Sequence, residues 1–442
     1  MSELFDLLVA ATSDWADTVA VRLDTTGPME WALFFAPFLF LEVPQYYVPL
    51  IATVFVRFWQ VLEGRDRATV ELGKREKVWP SVTVVVAGRN EGGSIEACIK
   101  SLVDQHYPNL EIIVIDDNST DATEEICRRY ERKGVIRFIR NNSLNGRTGR
   151  PTATNLGIRM ARGEFIVSLD ADTTFDQGLI EALIEPFEDP EIGVVAGNVL
   201  VRNRTKNLLT RLQTIEYATS IDLHKRWSKM TGSTLQASGA IGAFRRQAVV
   251  EIGGWDPELA EDGDICLRLV KAGWRTTFVA EAVALTDVPE KWGVIIKQRT
   301  RWDRGGYRAY ISKHGRLLRP SASTWGYAYG MWGEFIFATL LPIVYPIYAL
   351  WLLSQGFAVW SFVQLSSLAL YTMLAPIPLI AIAIVSDRTR DVHRLVGPAL
   401  VMPFYRVLMR WVKIRALAME LLRVNIRDTF LPDTAWNNAP RY

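Results

Sequence analysis

Apolar positions along the chain change their period twice. Residues Trp31 to Val56, WALFFAPFLFLEVPQYYVPLIATVFV, form one nearly unbroken apolar run. Two more, Gly333 to Ser354 and Ala358 to Val385, follow near the other end with only Gln355-Gly356-Phe357 between them. Each is long enough to cross a bilayer, which takes about 20 mostly apolar residues. Glu42, Pro37, Pro44 and Pro49 interrupt the first run, and in lipid they must face protein or a polar cavity. A buried hydrophobic hairpin is the other use for such a run. A last apolar stretch, Leu395 to Leu422, is broken by Arg406, Arg410, Lys413 and Arg415. It reads equally as a span or as a helix lying in the interface.

Between these ends, from Pro80, short apolar blocks alternate with helical spacing. SVTVVVAG, EIIVIDD, VIRFIR and EFIVSLDAD read as buried strands. GSIEACIKSLVDQH, with Ser94 as a cap, DATEEICRRYERKG, and PTATNLGIRMARG, opened by Pro151, read as helices. Strand–helix alternation predicts an α/β domain around a parallel sheet with right-handed crossovers, and in such sheets ligands bind at the carboxyl ends of the strands.

Composition changes this picture little. The 442 residues carry a net charge of +2, so overall charge offers no case for nucleic acid. Cys98, Cys127 and Cys266 are scattered, with no CxxC pair, and read as reduced packing residues. The N-terminal MSELFDLLVAATSDWAD has early acids and no basic start, unlike a cleavable signal. Acids dominate before the first span (Asp14, Asp17, Asp24, Glu30), whereas Arg57, Arg65, Arg67, Lys74, Arg75 and Lys77 follow it. By the positive-inside rule the middle of the chain is expected to be cytoplasmic.

Acids collect at the predicted strand ends. Asp116 and Asp117 close the second strand, and Asp170 and Asp172 close the fourth. One such pair is as often a turn device. Two at one sheet edge repel unless a cation joins them, and a hard divalent ion shared with phosphate is the usual answer. A third group, Glu261, Asp262 and Asp264, precedes an amphipathic helix; N-terminal capping accounts for Asp264. In KQRTRW, helical spacing puts Gln298, Arg301 and Trp302 on one face. Arginine forks suit phosphate oxygens and tryptophan stacks on sugar faces, though a basic helix on the membrane surface would look alike.

In this order, Asp117 in IDDNS, Asp170-Ala-Asp172, Glu261-Asp262 and Gln298-Arg299-Thr300-Arg301-Trp302 resemble the motifs of membrane-embedded, processive, inverting glycosyltransferases of family two. That group includes the cellulose, chitin, hyaluronan and poly-N-acetylglucosamine synthases. The likeness covers about residues 80 to 310, and the flanking spans fit the family's layout. Within it, VAGNVLVRNRTKNLLTRLQTIEY and ASGAIGAFRRQAV resemble the poly-N-acetylglucosamine and chitooligosaccharide synthases. Three positions depart from the pattern: Arg89 where an aromatic is usual, Arg150 where lysine is commoner, and Ala260 where threonine is frequent. None removes a charge the chemistry needs.

The resemblance implies a GT-A, Rossmann-like cytoplasmic domain with flanking transmembrane helices in the inner cell membrane. The expected divisions are 1–58 with one span, 59–290 for the GT-A domain, 291–331 for interface helices, and 332–442 for two or three spans with a short tail. It implies a UDP-sugar donor, with N-acetylglucosamine favoured over glucose, and a growing β-linked polysaccharide acceptor exported through the protein's own helices. Membrane lipid surrounds the protein, and an envelope partner in export is allowed for. Asn90, Glu91 and Asp117 would hold uridine. Asp172, helped by Asp170, would hold Mg2+ or Mn2+. Arg150 and Glu261 would contact substrate, Gln298, Arg299, Arg301 and Trp302 would serve the diphosphate and acceptor, and Asp262 would be the base. Glu42, Glu334, Trp332, Tyr345, Tyr348, Trp351 and Trp360 would line a glycan path, or the aromatics among them would form an ordinary belt at the membrane interface. Two other readings stay open: a single-sugar transferase acting on a polyprenyl phosphate, and a non-enzymatic UDP-sugar-binding protein, which the full set of acids disfavours.

Overall fold

The computed structural model describes residues 2–37, 40, 43–63, 79–141, 149–257, 260–321, 323–386 and 392–422. Glu42 and the basic residues Arg65, Arg67, Lys74, Arg75 and Lys77 lie outside them.

One mixed eight-stranded sheet organises the middle of the chain. Its strands are β1 Val82–Gly88, β2 Leu110–Asp116, β3 Arg137–Arg140, β4 Phe165–Asp170, β5 Thr174–Phe175, β6 Ile192–Val201, β7 Ile241–Arg245 and β8 Arg275–Thr286, in the order β3-β2-β1-β4-β7-β6-β8-β5. The expected parallel sheet holds across β3-β2-β1-β4. Beyond β4 it does not: β7 runs antiparallel to both β4 and β6, β6 and β8 pair in parallel through register shifts, and β5 is antiparallel to β8.

β1 shows why a continuous apolar run belongs at the centre, since all seven of its residues are buried. Successive side chains of a strand point to opposite faces. Val82, Val84 and Val86 join the core with Ile99, Leu102 and Cys127, while Val85 and Ala87 join the core with Ala153, Ile265 and Leu269. The helices Ile95–Val103 and Thr123–Arg132 therefore cover one face, and Arg150–Met160 and Glu261–Lys271 the other. Ser94 stands at the first of these helices as expected, but its hydroxyl donates to the Glu91 carboxylate at 2.8 Å instead of capping the helix.

Among the described residues, three helices are long and apolar enough to cross a membrane: Trp325–Ser354, Phe357–Val385 and Val392–Leu421. The first two form the hairpin expected from Gln355-Gly356-Phe357, turning at Gly356 with φ 113°. The basic C-terminal stretch is thus one continuous 26-residue helix, Val396–Leu421, entered through a 3-10 turn at Val392–Leu395. The run Trp31–Val56 contributes to two helices, Pro28–Phe34 and Val43–Leu62, and neither is among those three. Tyr348, Trp351 and Trp360 pack with Trp31, Phe34 and Phe362 in a satellite core, with Phe34 and Trp351 ring centres 5.7 Å apart. Leu50, Leu212, Ile295, Ile382 and Met402 share another core. That core docks the helices Leu208–Tyr217 and Trp292–Gly306 onto the apolar helices Phe357–Val385 and Val392–Leu421.

Candidate active site

The carboxyl ends of β1, β2 and β4 meet at one edge. Gly88 makes that meeting close, since a Cβ there would lie 2.6 Å from the Ala171 Cβ. After β1, Asn90 takes a left-handed conformation at φ 56°, and its side-chain oxygen accepts from the Thr120 amide at 2.9 Å. Its own amide donates to Ser119 Oγ at 2.8 Å, and the Glu91 amide to Thr123 Oγ1 at 2.8 Å. Asp116 is fully buried, accepting from the Ser119 amide and hydroxyl; burial lifts its carboxyl above the usual range, against those hydrogen bonds. Asp117 is also fully buried, and its two oxygens accept from Asn141 Nδ2 at 2.9 Å and the Gly149 amide at 3.0 Å. It thereby ties the end of β2 to the start of the helix Arg150–Met160.

Arg150 sits where the second and third acidic groups meet. Its Nε lies 2.8 Å from Asp170 Oδ1, its Nη1 lies 3.1 Å from Glu261 Oε1, and its Nη2 donates to the Gly239 carbonyl. Burial opposes the guanidinium charge, yet Asp170, Glu261 and Asp262 together hold it above its ordinary value. The Glu261 carboxyl is raised as well, which for an acid disfavours the charge: burial lifts it, Arg150 restrains it, and Asp262 adds to the rise.

Asp262 opens the helix Glu261–Lys271 behind Ala260, which is left-handed at φ 57°. Its Oδ2 accepts from Gln236 Nε2 at 2.6 Å and from the Gly239 amide at 3.2 Å. Asp264 does not cap this helix, as sequence had suggested. It is buried and faces His314 Nε2 at 2.7 Å and Lys313 Nζ at 2.8 Å. Burial acts against its charge, but those two partners pull its carboxyl below the usual range.

The helix Trp292–Gly306 carries the Gln-Arg-Thr-Arg-Trp run. Arg301 lies in the field of Glu261, Asp170 and Asp262, and its burial, with Arg150 nearby, draws it below the ordinary arginine value. Gln298 is half-buried, with its Oε1 enclosed. Arg299 points elsewhere: its Nη2 pairs with Glu216 Oε2 at 2.7 Å, and Tyr405 of the helix Val396–Leu421 donates to the same oxygen at 2.7 Å. At 3.6 residues per turn, positions two apart lie about 200° apart around a helix, which separates Arg299 from Arg301. Arg299 also lies over the Trp302 ring, 4.3 Å from its centre, while Trp302 stays 42% exposed.

Sequence reasoning missed Glu216, Gln236, Tyr310 and Tyr405. Their partners are 26 to 189 positions away, so no local spacing marks them. It also missed Lys225, whose amine burial lowers to about 8 against the attraction of Asp262.

Asp170 and Asp172 offer two carboxylates at one strand end, and among the described residues no group of three His, Cys, Asp or Glu could hold a metal ion. Two hard oxygens without a protein cage suit Mg2+ or Mn2+, which usually take one or two carboxylates and fill the remaining sites from phosphate and water. The residues therefore fit such an ion.

Residues 80–305 match the family described as Glycosyltransferase like family 2. The chain belongs to that family. This glycosyltransferase is 35% identical to the poly-beta-1,6-N-acetyl-D-glucosamine synthase of Staphylococcus aureus (strain MSSA476) over 245 residues, 55% of this chain and 57% of the relative. It is 32% identical to the Staphylococcus epidermidis protein of the same description over 232 residues, 52% of this chain and 55% of that one. It thus spans about half the length of the curated relatives it matches. Among solved structures, the mannosyltransferase PcManGT from Pyrobaculum calidifontis, in complex with GDP-Man and Mn2+, superposes with a TM-score of 0.55 at 20% identity, over 85% of this glycosyltransferase and 99% of that chain. At that identity the likeness concerns the fold, and it reaches beyond residues 80–305.

Proposed function

We propose that this family-two glycosyltransferase is a membrane-embedded polysaccharide synthase. It transfers N-acetylglucosamine from UDP-N-acetylglucosamine to the end of a β-linked glycan with inversion, and passes the product through its own helices. The observation that carries the reading is Arg150 joining Asp170 to Glu261, which sets the Asp170-Ala-Asp172 turn and the Glu261-Asp262 pair on either side of one cation. Donor diphosphate belongs on the first side and acceptor hydroxyl on the second. The identity to the staphylococcal synthases favours the sugar.

In this reading Asn90, Glu91 and Asp117 form the uridine end of the cleft. Asp172 and Asp170 would hold Mg2+ or Mn2+, which when bound offsets charge on the diphosphate. Arg150 and Arg301 add fixed positive charge where the leaving group develops its own. Asp262 takes the proton of the acceptor hydroxyl as that oxygen attacks the anomeric carbon and the bond to UDP breaks, so an α-linked donor gives a β-linked product. Trp302 and Gln298 seat the terminal sugar, and Arg299 holds Trp302 in place through its pair with Glu216. The divisions 1–58, 59–290, 291–331 and 332–442 describe the organisation, with the catalytic part cytoplasmic.

The test offers purified protein in vesicles a panel of UDP-sugars with Mn2+. It follows UDP release, with Asp262→Asn as control, then sizes the product and digests it with linkage-specific hydrolases. Release confined to UDP-N-acetylglucosamine with a long hydrolase-sensitive product is expected. A one-sugar, lipid-attached product would replace this reading with single transfer, and no release with any donor would remove it.

A further inference from the structure

The carboxylate of Asp262 is approached from outside its own helix by a short relay. Gln236 Nε2 donates to Asp262 Oδ2 at 2.6 Å, and Tyr310 donates its hydroxyl proton to Gln236 Oε1 at 3.2 Å. An ionised carboxylate only accepts, so the amide must turn its nitrogen to Asp262 and its oxygen to Tyr310. The orientation of Gln236 is thus fixed at both ends. Its backbone is fixed as well: the next amide, Ala237, donates to Cys266 Sγ at 3.2 Å, and Thr276 Oγ1 donates to the Thr234 carbonyl. Tyr310 is buried, and burial raises its hydroxyl well above the usual value, so it remains a donor across the working range.

Gly263 has a matching role. It separates Asp262 from Asp264, and a Cβ there would stand 2.7 Å from the Tyr310 hydroxyl oxygen. Only a residue without a side chain lets that hydroxyl reach Gln236 past the helix. Tyr310 itself lies in the π-helical turn Tyr307–Lys313, which continues directly from Trp292–Gly306. The element that carries Arg301 and Trp302 therefore also reaches the far side of Asp262.

We propose that Gln236 and Tyr310 are positioning residues that hold the Asp262 carboxylate by one oxygen and leave the other directed at the acceptor hydroxyl. With the Gly239 amide also on Oδ2, that oxygen has two donors, whereas among the described residues Oδ1 accepts only from the adjoining Gly263 amide, at 2.9 Å. The inference rests on the reading of Asp262 as base. The charges that reach Asp262 are Glu261 on its own helix, Arg150 from the helix Arg150–Met160, Lys225 from the helix His224–Met230 and Arg301 from Trp292–Gly306. The uncharged relay holds direction where those charges set only the field.

The experiment compares full-length Gln236→Leu and Tyr310→Phe with the native protein in vesicles, measuring kcat, KM for UDP-N-acetylglucosamine, UDP binding and the pH dependence of kcat/KM. Misplacing a reacting group costs about 100-fold, so Gln236→Leu is expected to lose about that much kcat. Donor KM stays within about twofold, because the transition state and not the bound donor feels the change. The acidic limb of the profile moves up, since the lost donor favoured the carboxylate form. Tyr310→Phe keeps the glutamine and loses about tenfold in kcat, with a smaller shift in the same direction. If Gln236→Leu does not bind UDP, Tyr310→Phe decides alone. Native kcat and an unmoved limb in Tyr310→Phe, beside an inactive Asp262→Asn, would overturn the relay and leave the base in place. Turnover retained by Asp262→Asn would overturn the base and the relay with it.

Discussion

The proposed nucleotide side and the proposed acceptor side of the cleft are built by different means. On the nucleotide side each acid ends a parallel strand and is held from nearby: Asp116 by Ser119 three positions on, Asp117 by Asn141 and Gly149 within 32 positions. On the acceptor side the holding groups come from far along the chain. Arg150 reaches Glu261 over 111 positions, Tyr310 reaches Gln236 over 74, and Tyr405 reaches Glu216 over 189. The first side follows from strand, turn and helix. The second brings together groups from distant parts of the chain, and its Glu216–Tyr405 contact joins the helix Leu208–Tyr217 to the helix Val396–Leu421. Nucleotide binding should therefore tolerate changes that transfer does not.

The sharpest test of that contrast is Asp262→Asn. It keeps the shape and the Gly239 contact but removes the proton acceptor, and transfer should fall by at least about 1,000-fold, within the range a positioned base supplies. UDP binding by calorimetry should stay within about twofold of native. Asp172→Ala strikes the other side: UDP affinity in Mn2+ should drop by about 100-fold, and added Mn2+ should no longer improve it. An Asp172→Ala protein with normal metal-dependent UDP binding would remove that residue from the diphosphate site.

Two arginines of one motif sharpen the comparison further. Arg301 lies among Asp170, Glu261 and Asp262, whereas Arg299 pairs with Glu216 beside Tyr405. Arg301→Gln should lower kcat by about 100-fold with little change in thermal stability, as loss of one charge-stabilising contact does. Arg299→Gln should do the reverse. It leaves Glu216 part-buried without its cation, so the melting temperature should fall and the helix Val396–Leu421 should become open to protease, while UDP binding stays near native and any kinetic loss comes through the seat of Trp302. Equal kinetic losses in both would mean that they face one ligand.

This contrast also marks what was legible in the sequence. β1, β2 and β4 showed themselves as apolar runs because both faces are buried, and their terminal acids then fell at one edge. The antiparallel half was hidden. β7 is five residues, Ile-Gly-Ala-Phe-Arg, too short and too small in side chain to declare a strand, and β6 and β8 pair through two register shifts. Gln298, Arg301 and Trp302 could be grouped by helical spacing. The partner of Arg299 could not be found, because Glu216 lies 83 positions earlier on a different helix. Asp264 was misread for a similar reason. An acid in a first turn suits the helix dipole, and nothing local shows that His314 and Lys313 approach from 50 and 49 positions away.

That misreading supplies the prediction with the smallest effect on turnover and a definite dependence on pH. Asp264 is buried, with His314 Nε2 at 2.7 Å, Lys313 Nζ at 2.8 Å and Arg268 Nη1 at 3.9 Å. Its carboxyl is depressed in the folded protein relative to about 3.9 in an unfolded chain. A depressed acid stabilises the fold above its unfolded value, and that contribution disappears as pH falls through the folded one. Asp264→Asn should therefore melt several degrees below native at pH 7, with the gap closing as both are titrated below about pH 4. Turnover at neutral pH should change less than about threefold, because Asp264 points to the Tyr307–Lys313 side and Asp262 to the cleft. A melting gap that stayed constant down to pH 3 would mean that the loss comes from packing and not from the charge. A large loss of turnover would instead show that the pair at Lys313 and His314 helps aim the helix that bears Asp262, extending the long-range construction of the acceptor side by one more contact.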